Sequence, residues 1–92
     1  MTIDAETREA IDGLLRDNRV VLFMKGSRTQ PQCGFSARTV TALDMLLPDY
    51  VAIDVLRNPD IREAIKVYGN WPTIPQLYVD CELIVNDTAT TE

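Results

Sequence analysis

Residues 20–40 read "VVLFMKGSRTQPQCGFSARTV", and this stretch decides most of the fold. Its first five residues are a continuous apolar run rich in β-branched and aromatic side chains, which is typical of a strand buried on both faces. Residues 25–32 have the glycine, proline and polar content of a loop. Core-facing side chains then recur at helical spacing, at Ser36, Val40, Leu43 and Leu47. The stretch therefore predicts a strand, a loop and a helix that ends at Pro48, with Cys33 at the N-terminal end of the helix.

Two further segments carry the apolar spacing and the end residues of amphipathic helices. Residues 4–17 begin with Asp4, which predicts a capped N-terminus. Residues 58–69 offer Asn58 as the N-cap, a proline at the first helical position and Gly69 as the stop. Each helix is expected to bury one apolar stripe against a sheet.

Three more runs predict strands, over residues 50–55, 77–79 and 82–85, and the last two are joined by a short turn. A strand–helix–strand unit followed by a hairpin implies an α/β fold with a four-stranded mixed sheet flanked by helices. Because no linker divides the chain, we expect a single domain over residues 1–92. The polar residues 85–92 are expected to form a loose tail.

The composition argues against several classes of function. Fourteen acidic residues against nine basic ones give a formal charge of −5, without a basic run to follow phosphates, so no nucleic-acid partner is expected. The apolar runs have strand length, so no membrane span is expected. The chain contains no histidine, which removes the commonest metal ligand and the usual general base. Two cysteines without an export signal predict a cytoplasmic protein, or an organellar one if a targeting segment has been removed.

Cys33 is the first candidate for chemistry. A cysteine at a helix N-terminus lies near unpaired backbone N–H groups and the positive end of the helix dipole, which both favour the thiolate. Lys25, at the end of the first strand, could add positive potential to the same region. The alternative is that Cys33 is a small apolar core residue, as most intracellular cysteines are. The neighbouring Pro31, Gly34 and Phe35 favour an exposed, tightly turned segment.

The second candidate is "WPTIPQLYV" at residues 71–79. If the Ile74–Pro75 peptide bond is cis, the backbone of Ile74 becomes an unpaired edge that can bind an extended thiol peptide. The alternative, which base rates favour, is a trans-proline turn entering a strand.

Taken together, these motifs resemble the monothiol, CGFS-type glutaredoxins of the thioredoxin-like superfamily. The resemblance rests on "MKG", "QPQCGFS" and "NWPTIPQLYV" in this order, and it covers about residues 5–84. It implies a thioredoxin-like fold that binds glutathione beside the active-site residue, Cys33. The other site residues that it implies are two cations for a glutathione carboxylate, two residues lining the site and three at the cis-proline edge: Lys25 and Arg62, Gly34 and Phe35, and Thr73, Ile74 and Pro75.

The resemblance also implies a function. Members of this family typically bind a [2Fe–2S] cluster and pass it to iron–sulfur acceptor proteins, often with a BolA-like partner, and disulfide reduction is a weak activity among them. Such a cluster needs about four thiolate-type ligands, so two chains each supplying Cys33 and two glutathione thiolates would complete a cluster-bridged homodimer. One alternative is a glutathione-dependent thiol-disulfide oxidoreductase that removes glutathione by a monothiol route. Another is a degenerate member that retains only partner binding.

The sequence departs from the family after the hairpin. The family has a Gly-Gly step and then an aspartate that opens a last helix and binds the γ-glutamyl end of glutathione. Here Val85 and Asn86 stand at the glycine positions, and Asp87 comes one place early. The resemblance therefore implies that the C-terminal helix is missing and that glutathione binding is altered. Cys81 could form a disulfide with Cys33 if their Cα atoms lay within about 7 Å, but its place at a hairpin tip favours a turn residue without a partner.

Overall fold

The computed structural model describes residues 3–84 of the chain, and within them the predicted order of helices and strands is confirmed. The helices are α1 Ala5–Asp17, α2 Gly34–Leu46 and α3 Pro59–Tyr68, and the strands are β1 Val20–Met24, β2 Val51–Asp54, β3 Gln76–Val79 and β4 Glu82–Ile84. None of these helices has the length and apolar character needed to cross a bilayer. The expectations for Val85, Asn86, Asp87, the loose tail 85–92 and the missing last helix lie outside the described residues.

The four strands form one mixed sheet in the order β2-β1-β3-β4. β1 is parallel to β2 and antiparallel to β3, and Phe23 is the partner of Ile53 on one side and of Gln76 on the other. Residues 21–24 are buried, as expected for an apolar strand with both faces covered. Because β3 runs opposite to β1, the carboxyl ends of β1 and β2 lie at the same edge of the sheet as the start of β3.

Two apolar clusters cover the two faces of the sheet. The first, between the sheet and helices α1 and α3, contains nine buried residues, with Phe23 and Tyr78 in edge-to-face contact at a centroid distance of 5.6 Å. The second, beneath α2, contains five buried residues, of which Val40 and Leu43 come from the helix. The alternation predicted for the second strand is confirmed, since Val51 and Ile53 pack against the first cluster.

The structure confirms both predicted N-cap residues, but only one of them makes a side-chain capping bond. Asp4 caps α1, and its Oδ1 accepts a hydrogen bond of 2.8 Å from the backbone N–H of Thr7. Asn58 is the N-cap of α3, but its side chain makes no capping bond. Instead, the Asn58 side-chain amide donates to the carbonyl oxygen of Asp54, at the end of β2, at 2.9 Å.

Gly69 ends α3 as predicted, but it is not there to supply a left-handed conformation. Its φ is −84°, and the left-handed residue is Asn70 with a φ of 51°. What requires glycine is space, because a Cβ atom at position 69 would lie 2.8 Å from Gln76 Oε1 and would also overlap the Tyr78 hydroxyl. The end of α3 is thus packed directly against polar side chains of β3.

Candidate functional site at the carboxyl edge of the sheet

The structure brings the predicted site segments to one edge of the sheet. Lys25 directly follows β1, Arg62 lies one turn into the helix that follows β2, and residues 73–75 directly precede β3. These chain positions meet because β1 and β2 are parallel and β3 is antiparallel to β1. The N-terminal end of α2, with Cys33, follows the loop that starts at Lys25. Ligands of α/β sheets commonly bind at this edge, outside the carboxyl ends of the strands.

Cys33 is the N-cap residue of α2, and its thiol is free and half-buried. It belongs to neither apolar cluster. Its side chain makes no capping hydrogen bond, while its carbonyl oxygen accepts from the N–H of Ala37 at 2.9 Å. The first turn of α2 contains no acidic residue to neutralise the helix dipole. The thiol therefore belongs to the residue that opens α2, at the helix end whose first-turn N–H groups have no intrahelical partner.

Ser36 occupies the position at which a dithiol enzyme would have its second cysteine, and it is 0% exposed. Its Oγ accepts a hydrogen bond of 3.1 Å from the backbone N–H of Lys25. The carbonyl oxygen of Lys25 in turn accepts from the N–H of Gln32 at 2.9 Å. The backbone N–H and carbonyl of Lys25 thus form hydrogen bonds with residues on either side of Cys33, and the bond to Ser36 connects β1 with α2.

The loop between Lys25 and Gln32 is compact. Gly26 has a φ of 91° and forms a β-bridge with Pro31. A Cβ atom at Gly26 would lie 2.5 Å from the backbone nitrogen of Gln32 and 2.6 Å from the carbonyl oxygen of Gln30. This glycine is needed both for its positive φ and for the close approach of the returning chain.

Arg28 anchors the outer part of this loop. Its guanidinium lies 3.9 Å from the centroid of the Tyr50 ring, which is a cation–π contact. It also pairs with Asp44 of α2 at 3.1 Å and with Asp49 at 3.3 Å. The Tyr50 hydroxyl donates to the same Asp44 Oδ1 at 2.9 Å, and burial together with this hydrogen bond raises the pKa of Tyr50. The loop before Cys33 is therefore held to the far end of α2.

The two cations predicted to bind a carboxylate differ from Arg28, because the described part of the chain gives them no acidic partner. Within residues 3–84, neither Lys25 nor Arg62 forms an ion pair. The Arg62 Nε atom is also buried without a hydrogen-bond acceptor from the described residues. Buried donors are nearly always paired in folded proteins. This guanidinium is therefore suited to an acceptor that the described chain does not supply.

The segment before β3 has the predicted backbone. The Ile74–Pro75 peptide bond is cis, as the family resemblance implied. Ile74 is buried, and Thr73 is half-buried. Within residues 3–84, the backbone N–H and carbonyl of Ile74 have no hydrogen-bond partner. The expected unpaired edge is present.

Two residues that sequence reasoning did not select, Gln76 and Tyr78, support this edge. Gln76 Nε2 donates to the carbonyl oxygens of Trp71 at 3.0 Å and Thr73 at 3.3 Å. The Tyr78 hydroxyl donates to Gln76 Oε1 at 2.9 Å. Burial raises the pKa of Tyr78 to about 12, with a smaller contribution from nearby Tyr68. A polar residue at an inward position of a short strand was the sequence signal that could have revealed them.

Cys81 is distant from this edge. It lies in the turn after β3, where Asp80 and Cys81 have φ angles of 51° and 67°. Because β3 begins at the site and runs away from it, the turn lies at the opposite edge of the sheet. Its thiol is free and donates to the carbonyl oxygen of Leu15 at 3.2 Å. The interpretation of Cys81 as a turn residue, without a disulfide to Cys33, is therefore the one that fits.

A groove of about 480 Å³ lies elsewhere, between the N-terminal ends of α1 and α3. It is lined by Asp4, Glu6, Thr7, Ala10, Arg57, Asn58, Pro59, Asp60 and Ile61. None of the predicted site residues is among them. The groove has more acidic than basic side chains, and its arginine, Arg57, already lies 3.7 Å from Asp54. The chemistry-bearing residues are at the edge of the sheet, so the groove is not the candidate site.

Comparison with known proteins agrees with this fold. The glutaredoxin family model matches residues 20–84. An uncharacterized monothiol glutaredoxin of Porphyra purpurea is 48% identical over 82 residues, which cover 89% of this chain and 77% of that protein. Glutaredoxin 4 of Escherichia coli strain K12 is 47% identical over 78 residues, covering 85% of this chain and 68% of that protein. The solution structure of reduced poplar apo GrxS14 superposes with a TM-score of 0.75 at 38% identity, covering 90% of this chain and 76% of that one. The chain is a monothiol member of the glutaredoxin family.

Proposed function

We propose that the chain binds glutathione beside Cys33 and uses this thiol to carry a [2Fe–2S] cluster, its cargo, to acceptor proteins. The observation that carries the proposal is the free, half-buried Cys33 thiol at the N-terminus of α2, at the same sheet edge as Arg62, whose buried Nε has no acceptor among the described residues. A peptide thiol with carboxylates at its ends matches the charges of this edge. The glutaredoxin relatives support the proposal.

Each residue at the edge has a proposed role in binding glutathione. Lys25 and Arg62 would bind a carboxylate, since the described residues leave both without an acidic partner. The free N–H and carbonyl of Ile74 would pair with the tripeptide backbone in the manner of an added strand. Thr73 and Pro75 flank this pairing, and Gly34 and Phe35 line the thiol side. The Phe35 ring is itself contacted by Arg38 at 5.7 Å.

The ligand count favours a cluster shared between chains. A [2Fe–2S] cluster needs about four thiolate-type ligands, and one chain offers one thiol at this edge. Two chains and two glutathione molecules together supply four thiolates. Because half of these ligands are exchangeable small molecules, the cluster is suited to transfer. A BolA-like protein or an iron–sulfur acceptor protein would then replace one chain of the homodimer.

Anaerobic reconstitution with iron, sulfide and glutathione tests the proposal. The expected product is a coloured dimer with about two irons per dimer, detected by visible absorption and size-exclusion chromatography. Cys33→Ser is expected to remain colourless and monomeric, whereas Cys81→Ser, the matched control at the opposite edge, should behave as the wild type. A colourless wild-type monomer, or a cluster that forms equally without glutathione, would contradict it.

The assignment of Arg62 can be tested separately. Arg62→Gln is expected to weaken glutathione binding about tenfold, which corresponds to ~1.4 kcal/mol. Arg57→Gln is the matched control, since Arg57 is exposed and already paired with Asp54. Isothermal titration calorimetry with S-methylglutathione, which cannot react at sulfur, measures the affinity of both variants. Equal affinities for the two variants would remove Arg62 from the binding site.

A second candidate function is glutathione-dependent reduction of mixed disulfides, and the buried Ser36 favours a monothiol route. The Cys33 thiolate attacks the glutathione sulfur of a glutathionylated protein, releasing the protein thiolate and forming a Cys33–glutathione disulfide. A second glutathione thiolate then attacks that disulfide, which yields oxidised glutathione and restores the Cys33 thiolate. Turnover of a glutathionylated peptide that survives Cys81→Ser but not Cys33→Ser would support this function, and turnover retained by Cys33→Ser would exclude it.

A further inference from the structure

We propose that Gln76 and Tyr78 are positioning residues that set the backbone edge at Thr73 and Ile74 for the glutathione peptide. The inference rests on the proposed function, because it concerns how that same site recognises its ligand. Neither residue is expected to touch the thiol or the reacting sulfur. Their effect acts through the backbone that precedes β3.

The two hydrogen bonds that the Gln76 side-chain amide donates fix this segment. Its side chain is 1% exposed. The two Nε2 protons are directed to the carbonyl oxygens of Trp71 and Thr73, at 3.0 and 3.3 Å. The Trp71–Thr73 backbone is thereby held to the first residue of β3. The Thr73 carbonyl is thus engaged inward, whereas the N–H and carbonyl of Ile74 have no hydrogen-bond partner within residues 3–84.

Tyr78 determines how the Gln76 amide is held. The Tyr78 hydroxyl donates to Gln76 Oε1 at 2.9 Å, two residues further along the same face of β3. An amide oxygen turned toward the two carbonyls would be repelled by them, so the donor from Tyr78 and the two carbonyl acceptors favour the same orientation. The Tyr78 ring is fixed in its turn by edge-to-face contact with Phe23.

The network also has little room to shift. A Cβ atom at Gly69 would lie 2.8 Å from Gln76 Oε1 and would overlap the Tyr78 hydroxyl. The end of α3 therefore closes the space behind both polar groups. A buried polar side chain with every partner in place costs more than an apolar filler would, but it selects a single arrangement. That arrangement is the geometry of the ligand-binding edge.

The test compares Tyr78→Phe with Tyr68→Phe. Both changes remove one phenolic hydroxyl and keep the ring, but the Tyr68 hydroxyl donates to Asp12 on α1 at 2.6 Å, away from the edge. Titration with S-methylglutathione, followed by the backbone amide resonance of Ile74, gives the Kd and reports directly on the edge. Tyr78→Phe is expected to raise the Kd about tenfold and to change the Ile74 amide shift, while Tyr68→Phe stays within about twofold of the wild type.

Two further measurements separate a positioning role of Tyr78 from a direct effect on the thiol. The rate at which iodoacetamide alkylates Cys33 should be the same in the wild type and Tyr78→Phe, because the thiol is not moved. In the wild-type chain itself, the Gln76 side-chain amide resonances are expected to shift when S-methylglutathione is added, a measurement that needs no variant.

The outcomes distinguish this inference from the proposed function. If the wild type does not bind S-methylglutathione, the proposed function fails, and the inference fails with it. If the wild type binds but Tyr78→Phe and Tyr68→Phe have equal Kd values, the function stands and the positioning role of Tyr78 and Gln76 is wrong. Unshifted Gln76 amide resonances on binding would overturn it independently.

Discussion

Tyr78 is expected to make the stability of the protein fall at alkaline pH, and Tyr78→Phe is expected to remove this part of the fall. Tyr78 is 2% exposed, and burial, with nearby Tyr68 as the smaller cause, raises its pKa from 10.0 to about 12. In the unfolded chain the phenol titrates near pH 10. Between these two values, the unfolded state loses the proton more readily than the folded state does.

The sign and the size of the effect follow from this difference. A pKa that is raised on folding contributes stability that is fully present below pH 10 and is lost as the pH rises toward 12. A difference of about two pKa units corresponds to a total of roughly 3 kcal/mol. At pH 11, halfway through the window, about 1 kcal/mol of the free energy of unfolding should be lost on account of Tyr78.

Urea unfolding of the wild type and of Tyr78→Phe between pH 8 and pH 11 measures this loss. Other groups that titrate in this range, including Tyr68, are present in both proteins, so the pH-dependent part of the difference in unfolding free energy reports Tyr78. Absorbance of tyrosinate in the folded state gives an independent count of the phenols that resist ionisation. Parallel stability curves for the two proteins from pH 9 to pH 11 would refute the reasoning.

Three further substitutions, the first with its own control substitution, test other parts of the structure. Gly26→Ala should lower the free energy of unfolding by about 1–3 kcal/mol in a urea assay, because it places a side chain at a positive φ against the returning loop. Gly34→Ala is the control, since its Cβ meets nothing within 4 Å and should not destabilise the fold in the same assay. Gly13→Ala should raise the free energy of unfolding by about 0.5–1 kcal/mol, since it lies inside α1 and its Cβ meets only an ordinary contact at 3.6 Å; a neutral or destabilising result would argue against this helix packing. Arg28→Ala should speed hydrogen exchange of the backbone amides in residues 27–32 by about tenfold, because the cation–π contact and two ion pairs hold that loop, and unchanged exchange would show that the loop is stable without them.

The elements of the fold were predictable because their signals are local. The apolar run of β1, the helical spacing of α2 and the proline at the start of α3 each specify a type of structure within a few residues. Cys33 at the start of α2 follows from the same patterns. The convergence of Lys25, Arg62 and residues 73–75 at one edge also follows once the strand order is known. The assignment of individual glutathione contacts came from family resemblance.

The contacts that could not be predicted depend on how residues of different elements pack together. The contact of Arg28 with Tyr50 depends on how the loop folds across the end of α2. Asn58 is the N-cap residue of α3, as predicted, but its side-chain oxygen accepts no capping bond, while its amide donates to the carbonyl of Asp54 at the end of β2. Gly69 has the sequence position of a conformational stop, although its role depends on Gln76 and Tyr78 of another element. Packing of this kind has no periodic signature.

The unequal apolar clusters on the two faces of the sheet have a dynamic consequence. Helix α2 supplies two buried apolar residues to the smaller cluster, and at its end Met45 and Leu46 are 82% and 76% exposed. Helices α1 and α3 both contribute buried residues to the larger cluster. Parts of a protein with fewer buried apolar contacts open before the whole molecule unfolds. We therefore expect α2 to detach as a separate cooperative unit, with native-state hydrogen exchange of its amides governed by a smaller free energy than that of β1. Such an opening would expose Cys33 to solvent while the sheet itself stayed folded.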